Sequence, residues 1–165
     1  MNNISKNIYV KLNEGYFDGD EITVSEDEFE ESDYIGTVKS NSGIYFGDPC
    51  YVLGDEIYDK IWGEKNEYSD GIIEVDNNLC FVVHRTAYGD GEYYGYDYPN
   101  QYAYPVDSGC LAIIPIELID PDKEKDANNL GHIFKGSKEA TMSWKNGVFK
   151  IDFDNIDSTM VDTNI

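Results

Sequence analysis

The pattern of apolar and polar positions along this chain predicts many short β-strands. Residues 7–12 and 148–153 alternate between apolar and polar with the period of two that is typical of half-buried strands. Residues 79–83 and 110–114 are apolar throughout, which indicates strands at the centre of a sheet, buried on both faces. The chain is therefore expected to be mainly β.

Turn residues between these segments predict how the strands pair. Asn146-Gly147 is a strong hairpin signal, so residues 139–153 are expected to form an antiparallel C-terminal hairpin. Residues 71–84 are predicted to form a second hairpin, which turns at its polar centre. The strands within residues 34–46 are expected to pair with each other across a short connection. Antiparallel pairing of neighbours in the sequence is thus the predicted rule.

Helical spacing of apolar residues is confined to 54–62, where Ile57 and Ile61 fall on one face. Residues 120–129 are predicted to be a polar loop, and residues 154–165 are polar and expected to fray. The predicted fold is therefore mainly β (α+β). It consists of an antiparallel sheet, sandwich-like or a half-barrel, with one short helix near 54–62.

Length and composition predict one domain, residues 1–165. The 165 residues are 41% hydrophobic, enough for a substantial core. The domain contains an acidic N-terminal segment (1–33) and the C-terminal hairpin (139–153). No apolar run approaches the ~18 residues that cross a membrane. The N-terminus lacks the apolar core of a signal peptide. A cytoplasmic protein without a membrane segment is expected.

The cysteines indicate neither a disulfide framework nor a structural metal site. Cys50, Cys80 and Cys110 are an odd number, and none belongs to a Cys-x-x-Cys pair. Cys80 and Cys110 lie inside apolar strands, where a free thiol behaves as a small hydrophobe. Free thiols in a reducing compartment are therefore expected, and no cofactor is predicted.

Charge is the strongest compositional signal. The chain carries 33 acidic residues against 12 basic ones, a formal net charge of −21. Such a surface repels nucleic-acid phosphates and anionic lipids and attracts the basic surfaces of other proteins. Direct binding to nucleic acid or to a membrane is therefore disfavoured, and a basic protein partner is expected. Acidity that serves only solubility or adaptation to salt is the alternative.

Part of this charge is concentrated around Phe29. Such a run is either a solvated loop or helical turn, or a strip of negative charge spaced like the phosphates of a nucleic acid. The second interpretation makes it a partner-binding surface. Its acidic residues are Glu26, Asp27, Glu28, Glu30, Glu31 and Asp33.

Tyrosines alternate with other residues before the turn at Pro99-Asn100. Period two places Tyr94, Tyr96 and Tyr98 on one face of a strand. Cross-strand packing explains such a face. Exposed tyrosines also make effective recognition surfaces, because they combine an apolar ring with a polar tip. The three tyrosines are therefore candidate partner-binding residues.

Three aspartates stand beside glycine or proline at the ends of apolar runs. Asx-type turns explain Asp48, Asp90 and Asp107 without any chemistry. Alternatively, the three carboxylates converge with His84 on a divalent metal, or divide acid and base roles, in a hydrolase. Cys50 with His84 is a further candidate pair of nucleophile and base.

A third hypothesis concerns a nucleotide signal. A nucleotide could be clamped and stacked in a pocket beside Gly89-Asp90-Gly91, so that the protein would sequester it, by Tyr88, Tyr93, Tyr94 and Arg85. The sequence has no phosphate loop and no Gly-rich dinucleotide fingerprint.

The aspartate motifs also carry a resemblance. Gly-Asp-Pro-Cys-Tyr at 47–51, Thr-Ala-Tyr-Gly-Asp-Gly at 86–91 and Val-Asp-Ser-Gly at 106–109, in this order, resemble a family of small uncharacterised phage and bacterial proteins. The resemblance covers residues 43–118. It implies no activity, but it favours an accessory protein of a phage or mobile element.

Together these features predict a non-enzymatic acidic binding protein of phage type. It is expected to bind and inhibit a basic, nucleic-acid-binding host protein, such as a defence protein, by presenting acids where that partner expects phosphates. The alternatives are a nucleotide-sequestering protein and a metal-dependent hydrolase that uses Asp48, Asp90, Asp107 and His84.

Overall fold

The computed structural model describes residues 24, 26–62, 70–76, 78–95 and 103–164. The strand predicted at residues 7–12, Tyr96 and Tyr98 lie outside the described residues.

The described residues form eleven strands and two short α-helices. The strands are β1 Tyr34–Lys39, β2 Gly43–Gly47, β3 Gly71–Asp76, β4 Leu79–Arg85, β5 Gly91–Tyr94, β6 Ala103–Val106, β7 Cys110–Pro115, β8 Gly131–Lys135, β9 Glu139–Lys145, β10 Val148–Phe153 and β11 Thr159–Asp162. The helices are α1 Asp55–Tyr58 and α2 Glu124–Asn129. Single 3-10 turns lie at Glu26–Glu28, Glu31–Asp33, Pro49–Tyr51, Asp59–Ile61, Ile116–Leu118 and Pro121–Lys123.

Two antiparallel sheets pack face to face. The four-stranded sheet has the order β1-β9-β10-β11, and the five-stranded sheet has the order β3-β4-β7-β2-β8. Strands β5 and β6 form a small third sheet. Every strand pair in the described part of the chain is antiparallel. The predicted mainly β, antiparallel, sandwich-like fold is confirmed, and the sheets do not close into a barrel.

The main core fills the space between the two sheets. Phe46 and Ile113 of the five-stranded sheet and Met142 and Phe149 of the four-stranded sheet are fully buried there. A second core lies on the other face of the five-stranded sheet, under the helices. The five-stranded sheet is therefore buried on both faces, which explains the unbroken apolar runs of β4 and β7.

The predicted helix at 54–62 is confirmed in place. Helix α1 continues into the 3-10 turn Asp59–Ile61, and Ile61 is fully buried in the second core. Both predicted hairpins are also confirmed, as β3–β4 and β9–β10. At the β9–β10 turn, Asn146 and Gly147 have φ angles of 49° and 87°, as a tight type I′ turn requires.

The predicted pairing of the strands within 34–46 is wrong. Strand β1 pairs with β9 in the four-stranded sheet, whereas β2 lies between β7 and β8 in the five-stranded sheet. Because β2 has a neighbour on each side, it has no edge left for β1. The connection therefore crosses from one sheet to the other.

This crossing is held by Glu117. Its carboxylate accepts hydrogen bonds from Ser40 Oγ (2.6 Å) and from the Asn41 N–H (2.7 Å). Ser40 Oγ in turn accepts hydrogen bonds from the Ser42 and Gly43 N–H groups. The loop between the sheets is thereby fixed by polar contacts.

The predicted polar loop at 120–129 is wrong, because these residues form a 3-10 turn followed by α2. Asp120 Oδ1 accepts a hydrogen bond from the Asp122 N–H (3.0 Å), and Pro121 occupies the first position of the turn. Ala127 is fully buried in the second core. A single buried alanine was too weak a signal for an amphipathic pattern.

The predicted fraying of residues 154–165 is also wrong for the described part. Strand β11 pairs with β10, and all four of its residues are buried. Beyond it, Thr163 Oγ1 accepts a hydrogen bond from the Ala87 N–H (2.9 Å) and donates one to the Gly147 carbonyl (2.5 Å). Polar residues here satisfy buried backbone groups, so polarity did not indicate exposure.

Among the described residues, no helix has both the length and the apolar character needed to cross a bilayer.

We predict that Thr163→Val destabilises the protein. Valine keeps the shape of the side chain but has no hydroxyl. The Ala87 N–H loses its acceptor, and the Gly147 carbonyl keeps only the hydrogen bond from the backbone N–H of residue 163. The free energy of unfolding should fall by about 1–3 kcal/mol, measured by urea denaturation. Thr163→Ser, which keeps the hydroxyl, should retain most of the stability. Equal losses in both variants would contradict this role of the hydroxyl.

We also predict a pH-dependent contribution from Glu117. Burial acts to raise its pKa, but the hydrogen bonds from Ser40 and Asn41 outweigh burial, and the net pKa is lowered. A lowered folded-state pKa stabilises the protein above the unfolded-state pKa, and this stabilisation is lost as pH falls through the folded-state value. Wild type should therefore exceed Glu117→Gln in unfolding free energy at pH 7, and the difference should shrink below about pH 4. Glu139 is exposed, so Glu139→Gln is the control and should show no such pH dependence. If the difference in unfolding free energy between wild type and Glu117→Gln does not change with pH, the prediction is refuted.

Candidate functional site

The buried carboxylate of Asp48 connects two of the three aspartate motifs. Asp48 follows β2, is fully buried and caps the 3-10 turn Pro49–Tyr51. Its Oδ1 accepts hydrogen bonds from the Cys50 N–H (2.8 Å) and Ser108 Oγ (2.6 Å). Its Oδ2 accepts hydrogen bonds from the N–H groups of Asp107 (2.7 Å) and Ser108 (2.8 Å).

These contacts determine what Asp48 can do. A carboxylate offers about four lone-pair directions, and four donors occupy them here. Three of the four donors are backbone N–H groups and the fourth is the Ser108 hydroxyl. A metal ion or a substrate proton would have to displace one of these donors. The geometry is that of a structural carboxylate which fixes a corner.

The remaining motif, Thr-Ala-Tyr-Gly-Asp-Gly at 86–91, joins the same corner through Gly109. The Thr86 N–H donates a hydrogen bond to the Gly109 carbonyl (3.0 Å). The Gly89 carbonyl accepts hydrogen bonds from Thr86 Oγ1 (2.7 Å) and from Tyr93 Oη (2.8 Å), just after the motif. The Asp90 side chain is exposed and lies beside Gly109. The three motifs therefore form one continuous corner at the ends of β2, β4 and β7.

Tyrosines surround this corner. Tyr45 Oη donates a hydrogen bond to the Asp48 carbonyl (3.0 Å), and Tyr51 Oη donates one to Asp107 Oδ2 (3.0 Å). The Tyr45 ring lies over Gly47 and Gly131, where any Cβ would collide with it. Burial raises the pKa of both tyrosines, and the neighbouring aspartates raise it further. Both hydroxyls stay protonated and act as donors.

Cys50 is held in the protonated form. Burial, followed by Asp48 and then Asp107, raises the pKa of its thiol far above neutrality. Because the thiolate is the nucleophilic form of cysteine, this environment suppresses nucleophilic chemistry. All three cysteines are free thiols.

His84 lies apart from Cys50 and Asp48. It points into the core between the sheets, where its ring stacks on Trp144 with centroids 4.2 Å apart. Its Nδ1 lies 2.8 Å from the Arg85 carbonyl oxygen, and its Nε2 lies 3.6 Å from Asp70 Oδ2. Cys50 instead neighbours Cys110, which faces the second core. The structure does not bring the candidate nucleophile and base together.

Of the residues predicted to contact a nucleotide, Arg85 and Tyr88 are exposed and Tyr94 is half-buried, whereas Tyr93 is buried and not available to stack on a ligand. The Arg85 backbone N–H and its Nε both donate hydrogen bonds to the Asp70 carboxylate, at 2.8 and 3.3 Å. Tyr88 is 65% exposed at the tip of its loop. Within the described ranges, no group of three or more His, Cys, Asp or Glu residues is placed to hold a metal ion.

The acidic run packs against the outer face of the four-stranded sheet. Glu26 Oε2 accepts a hydrogen bond from Ser158 Oγ (2.7 Å), and Asp33 Oδ2 lies 3.5 Å from Lys145 Nζ. Between them, the Phe29 ring lies under Lys150 Nζ, 5.6 Å from its centroid. These three contacts attach the run to β9, β10 and the approach to β11.

Four acids of the run remain exposed to solvent. We call Asp27, Glu28, Glu30 and Glu31 the acidic ledge. The ledge is built on two 3-10 turns, and Asp33 Oδ2 accepts a hydrogen bond from the Glu30 N–H (2.8 Å). The run is therefore neither a free loop nor a uniform strip. Glu26 and Asp33 anchor it, and the ledge faces outward.

Tyr94 lies next to this segment. It is half-buried and packs, like Phe29, against the small cluster of Val24, Val148 and Met160. Its hydroxyl donates a hydrogen bond to Glu92 Oε1 (3.1 Å). The structure thus brings one of the candidate tyrosines together with the candidate acids.

Sequence reasoning missed Tyr34 and Ser108. Tyr34 directly follows the acidic run and is 50% exposed, with its hydroxyl 3.1 Å from Thr37 Oγ1. Ser108 supplies two of the four donors to Asp48. Its position in the Val-Asp-Ser-Gly motif was the available signal, because a serine there can bind a neighbouring carboxylate.

No protein-family model, curated protein or solved structure matches the chain. Inference of function therefore depends on the residues themselves.

We predict that Asp48 is essential for stability and Asp107 is not. In Asp48→Asn an amide NH₂ faces N–H donors, so the free energy of unfolding should fall by about 3 kcal/mol. Asp107 is exposed and its one side-chain contact can survive as an amide, so Asp107→Asn should cost less than about 1 kcal/mol. Urea denaturation measures both, and equal stability of the two variants would contradict the structural role of Asp48.

Proposed function

We propose that this protein is a non-enzymatic, acidic binding protein that attaches to a basic, nucleic-acid-binding protein and occupies the surface meant for phosphates. The proposal includes a phage-type accessory role in the host cytoplasm, directed against a host defence protein. The proposal depends on the different positions of the acids in the run. Glu26 and Asp33 contact the four-stranded sheet or its approach, and the four acids of the ledge are exposed on a backbone that these contacts hold in place.

A fixed ledge differs from a flexible acidic tail. Carboxylates on an ordered backbone lose little conformational entropy on binding, so more of the attraction to a cationic surface contributes to affinity. Asp33 and Glu26 hold the ledge from both ends, at Lys145 and Ser158. Such a surface favours fast association that weakens with salt.

The immediate surroundings of the ledge also suit a partner. Tyr34 is half-exposed beside it, and Tyr94 is half-buried on the same apolar cluster as Phe29. Tyrosines beside a charged patch offer apolar contact and a cation–π surface to arginine or lysine. The phage-type role is proposed from the resemblance that the aspartate motifs suggest.

The geometry supports the two alternatives less well. A hydrolase would need His84 beside Asp48 or Cys50, and His84 stacks on Trp144 instead. A nucleotide clamp would need Arg85 available to phosphates. Arg85 is bound to Asp70, and the net charge of −21 repels phosphates.

We predict that neutralising the ledge weakens partner binding. The test variant carries Asp27→Asn, Glu28→Gln, Glu30→Gln and Glu31→Gln. Because exposed charge pairs contribute about 0.2–1 kcal/mol each, capture of basic proteins from nuclease-treated host lysate should fall at least about four-fold. Captured proteins should be released by salt and by duplex DNA, quantified by mass spectrometry.

A matched control separates specific binding from bulk charge. Glu56→Gln, Glu74→Gln, Asp126→Asn and Glu139→Gln remove the same number of exposed charges from other parts of the surface. This variant should capture the partner like wild type. Equal loss in both variants, or a partner that duplex DNA does not displace, would overturn the proposal.

A further inference from the structure

A cleft of about 560 Å³ opens in the layer that covers the outer face of the five-stranded sheet. The acidic ledge, in contrast, lies on the outer face of the four-stranded sheet, across both cores. The volume is within the roughly 300–1,000 Å³ of typical ligand pockets. Neither the acidic ledge nor the three aspartates contribute a residue to the lining of this cleft.

The cleft is held open by contacts on both sides. On one side, Lys123 Nζ donates a hydrogen bond to the Leu53 carbonyl (2.9 Å), and the Asp120 N–H donates one to the Val52 carbonyl (2.9 Å). These bonds fasten the approach to α2. On the other side, Glu117 fixes the connection between β1 and β2. A ligand would find the walls already in place, which reduces the entropic cost of binding.

The floor of the cleft is aliphatic. Ile119 and Ile133 are partly buried and pack against the second core, while Ile116 and Pro121 complete the apolar lining. Branched aliphatic side chains left partly open to solvent favour an apolar group of similar size. The floor therefore suits a leucine, isoleucine or valine side chain.

The rim of the cleft is polar. Glu124 and Asn128 stand one turn apart on α2, and Ser42 and Lys135 stand at the end where β2 meets β8. Within the described ranges neither Glu124 nor Lys135 forms an ion pair. Hydroxyl, amide and unpaired charged groups around an apolar floor match the main chain and flanking side chains of a peptide.

The negative charge of the protein favours a cationic peptide. The protein carries a net charge of −21. On the α2 side the exposed acids Asp122, Glu124 and Asp126 outnumber the two lysines among them, Lys125 and Lys123, and Lys123 is already bound to the Leu53 carbonyl. The field at this rim attracts cations and repels anionic ligands such as fatty acids and nucleotides. Lys135 at the far end can donate a hydrogen bond to a main-chain carbonyl or a terminal carboxylate.

We infer that the cleft binds a short extended peptide segment in which an aliphatic side chain is flanked by lysine or arginine. The aliphatic side chain contacts Ile116, Ile119 and Ile133, and a flanking cation pairs with Glu124. This inference is independent of the acidic ledge, because the two surfaces cover different sheets.

The test uses the full chain with labelled isoleucine δ1 methyl groups and three blocked tripeptides. Acetyl-Arg-Leu-Arg-amide should produce saturable NMR shifts at Ile116, Ile119 and Ile133. Acetyl-Arg-Gly-Arg-amide lacks the aliphatic group and acetyl-Glu-Leu-Glu-amide reverses the charge. Each should bind at least about five-fold more weakly. No saturable shift with the first peptide, or equal binding of the first two, would overturn the inference.

Two variants and one control locate the site. Glu124→Lys should weaken binding of Acetyl-Arg-Leu-Arg-amide about two- to five-fold, and Lys135→Glu should strengthen it, as expected for rim charges. Glu74→Lys, on β3, makes the same charge change elsewhere and should have little effect. Equal weakening by Glu124→Lys and Glu74→Lys would show attraction by net charge alone and would refute the site. The ledge variant should bind the peptide like wild type, so failure of the ledge and failure of the cleft are distinguishable.

Discussion

The fold depends on one buried carboxylate. Removing an ion from water costs several kcal/mol unless its surroundings replace the lost hydration, and four hydrogen bonds replace it at Asp48. Those donors come from both sides of the corner, so the end of β2 and the start of β7 are fixed relative to each other. At the same corner, the Gly109 carbonyl accepts a hydrogen bond from the Thr86 N–H, and this bond positions the loop after β4. The order of the central strands is therefore stabilised by polar contacts at their ends as well as by the apolar cores.

Sequence patterns predicted those parts of the fold that depend on neighbours in the chain. Asn146-Gly147 encodes its own turn, and the apolar runs of β4 and β7 report burial on both faces. Patterns could not predict which distant strand β1 would join, because that choice depends on β2 having two neighbours already. They also misjudged the C-terminal segment, where Thr159 in β11 and Thr163 just beyond it are buried in positions that sequence polarity describes as exposed.

The candidate site shows the same limit. Composition identified the acidic run. It could not show which acids anchor the run and which form the ledge, because the anchoring partners, Lys145 and Ser158, lie far along the chain. An Asx-type turn was expected at each aspartate, and Asp48 forms one with the Cys50 N–H. The sequence could not tell which face of the sheet His84 would occupy. That face places His84 on Trp144 and away from Cys50. The motifs identified residues capable of catalysis, but they did not show which of those residues lie together in the fold.

The pairing of β1 with β9 has a consequence for the order of folding. The cross-strand hydroxyl pair Thr37–Thr141 joins residues 104 positions apart, so the pairing of β1 with β9 closes a long loop at an entropic cost. Strands β9, β10 and β11 are consecutive in the chain and can pair with each other before β1 joins them. Until β9 arrives, β1 remains an unpaired edge with an exposed ladder of N–H and C=O groups, the kind of surface that recruits other chains into aggregates. The many carboxylates of this protein then act during synthesis as well, because mutual repulsion keeps half-folded chains apart.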